Sequence, residues 1–477
     1  MTEMIAVLCI PLAGGLLLAL FGNRRWAPEL NVFCSFLTFV SSVPLASKVL
    51  HGGSLVVLWE QFFIDSFNVF LVVLTAFVSF TTALFSRPYM RNEEKQLAPY
   101  QMRLYHSMYQ IFCFTMLLAL TTNNLGILWV AMEGATLATV LLVSLYRTRE
   151  SLEAAWKYFI LCGVGIAQAL FGTILLYFAA EKVLGAGGTA LLWTHLDEAK
   201  GSLEPTVLSI AFVFFLIGYG TKVGLVPLHS WLPDAHAEGP TPVSAVLSGL
   251  LLNVALYAVV RCKILVSGAL HSHFADNLMT GFGLLSVLTA SFLLWRQKDI
   301  KRLFGYSSIE HMGLITFAFG TGANFAALLH MTVHSLTKSA IFFAVGHAVQ
   351  RSGTKTIDSI RGLVQSPSIG WGLMLGSLAI LGMPPFGVFT SEFLILTHAI
   401  ESRPWAAPVL LLALGVAFAA IFGKVQSMVW GESEGEELQH PPAFLPILLH
   451  LSIVLLLGLY IPEHLARWFQ EASRLID

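Results

Sequence analysis

The sequence predicts an all-α integral membrane protein of about fourteen transmembrane helices, and three observations carry that expectation. Of its 477 residues, 56% are hydrophobic and only 12% charged, with a mean hydropathy of +0.74, whereas a soluble domain carries roughly 25% charged residues. The charges gather into short polar breaks between apolar runs. Two of those runs are also interrupted by glycine and proline close to an ionisable side chain.

A spanning helix needs about 20 apolar residues. Stretches meeting that criterion fall at 3–22, 30–50, 64–85, 107–122, 124–146, 156–179, 206–228, 242–262, 276–295, 304–322, 324–349, 369–397, 405–428 and 442–461. The first, in MTEMIAVLCIPLAGGLLLALFGNRR, has an acid before it and two arginines after it. That is the reverse of a signal peptide's charge order, so it reads as the first span. Only the polar TTNN at 121–124 separates the fourth from the fifth. The whole reads as one polytopic domain, 1–477: three N-terminal helices (1–106), five-helix units at 107–264 and 265–430, and a last helix (431–477).

Loops after odd-numbered spans are rich in Lys and Arg, among them Arg24, Arg25, Arg87, Arg91, Lys95, Arg147, Arg296, Lys298, Lys301, Arg302 and Lys355. Loops after even-numbered spans hold fewer, such as Lys48, Lys182, Arg261 and Lys263. The positive-inside rule then puts the odd loops in the cytoplasm and both termini on the outer side of a bacterial-type inner membrane. The exception is the loop WLPDAHAEGPTP after span 7. With His229 just ahead of it and Asp234 and His236 inside it, this loop carries acids and histidine, as an entrance would.

The ionisable residues read as lying inside spans are Glu133, Lys157, Lys222, His330, His334, Lys338 and Glu392. A lysine at mid-bilayer depth costs roughly 2.5 to 3.5 kcal/mol even on the lenient insertion scale, so Lys222, within FFLIGYGTKVGLVP, marks function by default. Glu133, ten residues into span 5, is expected to be protonated or paired, or simply hydrogen-bonded between helices. Lys157 starts span 6 and could snorkel to the membrane edge. His330, His334 and Lys338 recur at i, i+4 and i+8, one stripe of a helix. Such a stripe must face protein or water. It reads as a proton relay, or as a set of satisfied inter-helix hydrogen bonds.

Span 7 carries Gly218, Gly220, Gly224 and Pro227 around Lys222, and span 12 carries GMPPFGVF just before Ser391 and Glu392. Breaks at corresponding places in two halves point to a transport site between inverted repeats. Spans 4 to 8 and 9 to 13 make two five-helix units, and an odd number of helices inverts the second relative to the first. The fold expectation is therefore two inverted five-helix repeats with discontinuous spans 7 and 12. Cys9, Cys34, Cys113, Cys162 and Cys262 stand singly, with no CxxC spacing, so no metal or redox centre is expected on this chain. A net charge of −1 gives no argument for nucleic acid.

The stretches VAMEGATL, EAAWKYFIL, GYGTKVGLVPLHSWLPDAHAEGPTPVSAVLSG, KDIKRLFGYSSIEHMGLI, HMTVHSLTKSAIFFAVGHAV and LGMPPFGVFTSEFLIL resemble, in this order, the antiporter-like proton-channel subunits of complex I, group 4 membrane-bound hydrogenases and Mrp cation/proton antiporters. The resemblance implies that Glu133 and Lys222 are the modulating carboxylate and pumping lysine of one half-channel. It implies that Lys338 and its histidines are a connecting relay, and that Glu392 is the protonatable group of the other half. A glutamate at 392 is similar to the hydrogenase and M-type branches of the family. Family members often carry Lys or His in span 8, where this chain has Asn253. The implied partners are other membrane subunits, a peripheral redox arm, lipid and protons, with sodium left open. The implied role is a proton-translocating subunit of a redox complex. An Mrp-like sodium or potassium/proton antiporter subunit and a non-pumping structural subunit stay open beside it.

Overall fold

The computed structural model describes residues 2–94, 96–270, 272–432, 438 and 440–476. Lys95, counted above among the third-loop charges, lies outside the described residues. The chain begins with α1 (Thr2–Phe21), α2 (Ala27–Gly52), an antiparallel hairpin of β1 (Leu55–Val57) and β2 (Phe62–Ile64), and α3 (Ser66–Glu93). It continues through α4 (Pro99–Thr121), α5 (Leu125–Val143), α6 (Arg149–Leu184), the short α7 (Trp193–Ala199), α8 (Pro205–Val223), α9 (Leu232–Glu238) and α10 (Thr241–Val246). A π-helical turn, Leu247–Leu251, leads into α11 (Leu252–Leu270). Then follow α12 (Phe274–Leu294), α13 (Ile300–Thr321), α14 (Asn324–Ser352), α15 (Pro367–Ile380), α16 (Gly387–Ser402), α17 (Ala406–Val429), α18 (Phe444–Leu459) and α19 (Glu463–Ile476).

Helix occupies each of the fourteen expected stretches, but among the described residues only eleven helices are long and apolar enough to cross a membrane by length and composition. Counting α18 and α19, bent by 81°, as one raises the number to twelve. The shortfall lies in α13, in span 12, divided between α15 and α16, and in α18. With so many apolar helices the protein is a multi-pass integral membrane protein.

Local chemistry sets the helix ends. Asp65 starts α3 by accepting from the N–H groups of Phe67 (3.0 Å) and Asn68 (2.9 Å). Asp299 does the same for α13 through Lys301 (2.7 Å) and Arg302 (3.0 Å). Each satisfies N–H groups that the first turn leaves without a partner. The TTNN segment is a true corner: Asn124 caps α5 through Gly126 N–H (2.9 Å), and Asn123 bonds to the Glu60 carbonyl (2.8 Å). That hairpin, which the sequence reading missed, thus pins the corner between α4 and α5.

Several expectations are corrected. The loop after span 7 is largely helical, as α9 and then α10. Arg261 and Lys263, counted as loop charges, lie within α11, buried and paired with Asp65 (2.6 Å) and Asp276 (3.0 Å). Beyond the last expected span a further helix, α19, is amphipathic and lies across α3 and α14. There Trp468 Nε1–H donates to the Ser66 carbonyl (2.7 Å) and Phe469 meets Phe70 edge-on at 5.0 Å.

The centre of the molecule is α14. It packs against α3, α10, α13, α15, α16, α18 and α19. An eighteen-residue stretch of it is entirely buried, as is one in the α10–α11 segment. The residues that lipid cannot serve are therefore held where protein surrounds them.

Candidate functional site

Lys222 stands in the last turn of α8, which ends because Gly224 takes a left-handed conformation (φ 84°). Its neighbours come close because Gly218 has no side chain; a Cβ there would lie 2.7 Å from the Gly165 carbonyl of α6. A cation at a helix C-terminus is favoured by the backbone dipoles. The ammonium is fully buried and donates to the Met132 carbonyl at 3.1 Å and to the Thr136 hydroxyl. Thr136 lies 3.3 Å from Glu133 Oε2. Lys222 and Glu133 are thus joined through Thr136 rather than directly, and Glu133 itself is only half-buried.

Lys157 does not extend freely to the membrane edge. Its ammonium pairs with Asp234 at 2.6 Å, and Arg302 pairs with the other oxygen of that carboxylate. Asp234 therefore ties α6, α9 and α13 together. His229, half-buried, meets Tyr306 edge-on at 6.3 Å.

Asn253 sits just beyond the π turn. Its amide donates to Ser335 Oγ at 2.8 Å and to the Met331 carbonyl at 3.3 Å, both on α14, while its Oδ1 has no hydrogen-bond partner. Position 253 thus bridges the first five-helix unit to α14, through an amide rather than a charge.

In the second unit the stripe of α14 meets two groups absent from the sequence-based list. Glu310 and His311 of α13 are both 2% exposed. That list of interior ionisable residues was incomplete, and His450 of α18, bonded to Thr81 (2.8 Å) and to the Leu336 carbonyl (3.0 Å), was also missing from it. Lys338 donates to the Phe304 carbonyl at 2.9 Å. Glu310 lies within electrostatic reach of Lys338 on one side and of Glu392 on the other. His311 Nδ1 is 3.0 Å from His330 Nε2, and His330 Nδ1 is 2.9 Å from Ser391 Oγ, next to Glu392. The ring of His334 lies 5.6 Å from that of His311, with neither of its nitrogens hydrogen-bonded among the described residues. Glu392 is 8% exposed, and its carboxylate rests against Gly382 (φ 66°), in the break between α15 and α16. A Cβ at Gly382 would collide with Glu392 Oε2.

Five of the six residues singled out for proton transfer are fully or almost fully buried, and Glu133 borders them. Two cavities open at opposite ends of α13. One, of about 640 Å³, is bordered by Lys301, Glu93, Glu238 and Lys355. The other, of about 430 Å³, is bordered by Gly320, Lys263, Asp276 and Arg403.

The fold and site define a multi-pass membrane protein whose interior holds buried acids, histidines and lysines. The chain belongs to the NADH:quinone oxidoreductase/Mrp antiporter transmembrane family, whose profile matches residues 122–419. It is 51% identical over 477 residues, 99% of either chain, to the hydrogenase-4 component F homolog of Methylacidiphilum infernorum (isolate V4). Its fold matches a chain of the membrane-bound sulfane sulfur reductase, an archaeal respiratory membrane complex, with a TM-score of 0.88 at 24% identity over 99% of this chain and 98% of that one. It also matches a chain of the Mrp complex from Dietzia sp. DQ12-45-1b, with a TM-score of 0.85 at 19% identity over 100% and 98%. At those identities the structural likeness is one of fold.

Proposed function

We propose that this chain is a proton-translocating membrane subunit of a multi-subunit redox complex of the hydrogenase or NADH:quinone type. The observation that carries this reading is the buried set of ionisable groups on α13, α14 and α16, in which His311 lies 3.0 Å from His330 and His330 2.9 Å from Ser391 Oγ, with Lys338, Glu310 and Glu392 buried on the same three helices. Ordinary packing does not require so many ionisable side chains in an apolar interior.

In this reading fourteen helices cross the bilayer, with odd loops cytoplasmic and both termini outside a bacterial-type inner membrane. Residues 107–264 and 265–430 are inverted repeats. The two breaks support the repeat: Gly224-Leu-Val-Pro227 and Gly382-Met-Pro-Pro385 each pair a left-handed glycine with a proline three residues on. A proton enters from the cytoplasmic side and is held by Lys222 under the influence of Glu133. It passes along a hydrated line that includes His334 and Lys338, and leaves by way of Glu392 toward the cavity at the Gly320 end of α13. Charge pairing is the lever, since in a desolvated site a nearby carboxylate favours the charged ammonium, and altering the pair alters whether the proton is held. Thr136, between Lys222 and Glu133, gives that pair an adjustable intermediate. Redox centres belong to partner subunits and a peripheral arm, with no cofactor on this chain.

In vesicles containing the purified complex, Lys222→Ala and Glu133→Ala are each expected to lower protons moved per electron while electron transfer continues. Full pumping by both variants would overturn the reading and favour a structural subunit. The fold likeness to the Dietzia Mrp chain favours a second reading, exchange of sodium or potassium for protons. Sodium-driven proton movement in the same vesicles, without any electron donor, would select it.

A further inference from the structure

His236 is fully buried in α9, and among the described residues neither of its ring nitrogens has a hydrogen-bond partner. A buried imidazole so placed forfeits the bonds it would make in water, at a cost of about 1–3 kcal/mol, and such a group needs an explanation. Nothing in the axis described above uses it.

The ring is held between two helices. It stacks on Phe342 of α14, with centroids 5.0 Å apart and planes at 26°. On the other side it lies over Gly305 of α13, where a Cβ would be 3.3 Å from His236 Cδ2. Phe342 is one turn from Lys338 on α14, and Gly305 is one turn from Lys301 on α13. A turn rises about 5.4 Å, so each lysine is one turn along its helix from the residue that the imidazole touches. Both ammonium groups act on it electrostatically. Lys301 borders the cavity of about 640 Å³, as does Ala237, the residue after His236. Its ammonium is held by the Gly239 carbonyl at 2.5 Å. His236 thus lies directly behind the cavity wall.

We propose that His236 carries protons from this cavity to Lys338, giving the second half of the axis its own entry beside the one at Lys222. The neutral imidazole takes a proton from cavity water on its free nitrogen and becomes imidazolium. It then releases the proton on the other nitrogen to a neutral Lys338 amine, which becomes ammonium. The imidazole is left neutral in its other tautomer, and reversal of the tautomer readies it for the next proton. The stacked but unbonded ring suits this task, since no fixed partner locks either nitrogen. Glu93, which borders the cavity and is tied to Gln350 at 2.7 Å, sets an acid at its mouth.

This entry rests on the proposed proton-translocating role, and the test separates the two. In vesicles containing the whole complex with the first entry closed by Lys222→Ala, adding His236→Gln or His236→Ala is expected to slow the remaining proton uptake about 100-fold, the lower end of what a positioned proton-transfer group contributes. Added imidazole should restore uptake in His236→Ala, which leaves a hole beside the cavity, and should not restore Lys338→Ala. Unchanged uptake in the His236 variants, with uptake lost in Lys338→Ala, overturns the entry and leaves the axis standing. Unchanged uptake in Lys338→Ala overturns the axis itself. Should the His236 variants fail to assemble, Lys301→Gln reports on the same route, and normal uptake there counts against it.

Discussion

At the scale of single residues, the side chains that matter are those whose partners come from far along the chain. Glu310 and His311 were overlooked in SSIEHMG because neighbours on a helix point about 100° apart and form no stripe. One faces Lys338 and Glu392, the other His330, and only the packing of α13 on α14 shows it. The stripe His330, His334, Lys338 could be read from spacing alone, because its periodicity is local. Glu310→Gln keeps the size of the side chain and removes its charge, so the complex should assemble and lose protons moved per electron, measured with a pH-sensitive dye in vesicles. Gly382→Ala should act through Glu392: the left-handed backbone disfavours alanine by roughly 1–2 kcal/mol, and the new methyl displaces the carboxylate. Its signature is a lower melting midpoint together with impaired pumping. Arg261 is a structural contrast. It pairs with Asp65, donates from its Nε to the Tyr257 hydroxyl at 3.0 Å, and lies 4.4 Å from the Trp193 ring. Arg261→Ala strands a buried carboxylate and should cost about 3–5 kcal/mol. Thermal unfolding of the detergent-solubilised subunit would register the loss.

At the scale of elements, the breaks were legible and their register was not. Glycine and proline announce that a helix stops, yet only the backbone shows that Gly224 and Gly382 share the left-handed conformation. Counted from those glycines, Glu392 of the second unit matches Asp234 of the first, ten residues on in both. Asp234 is clamped by Lys157 and Arg302, whereas Glu392 lies near one acid, Glu310. The same backbone position therefore serves an ion pair in one unit and a carboxyl facing the axis in the other. The π turn at Leu247–Leu251 packs at Gly249 against Ser335 and Ser339 of α14, a partner distant in sequence. Such a turn carries one residue beyond the regular count. Asn253→Leu should keep the turn and remove the amide bridge from its end to Ser335 and the Met331 carbonyl of α14. The expected result is slowed transfer between the two units with assembly retained, read as proton movement against electron flow.

At the scale of the whole molecule, hydropathy is least informative about the places of α13 and α14, whose surroundings are protein. The cavities at the two ends of α13 stand about 30 Å apart, given its 22 residues at 1.5 Å each. That is about the thickness of a bilayer core. The complete burial of α14 also bears on how the protein is made. A segment carrying His330, His334 and Lys338 enters lipid at a disadvantage during synthesis, since a central lysine alone costs roughly 2.5 to 3.5 kcal/mol. It has to be received by its neighbours: α13, just before it, precedes it into the membrane, and α15, just after, is the next to arrive. In a glycosylation-mapping assay, α14 alone should integrate poorly, and should integrate well when flanked by α13 and α15. The residues that carry charge through the finished protein would then be the ones that make its assembly a cooperative event.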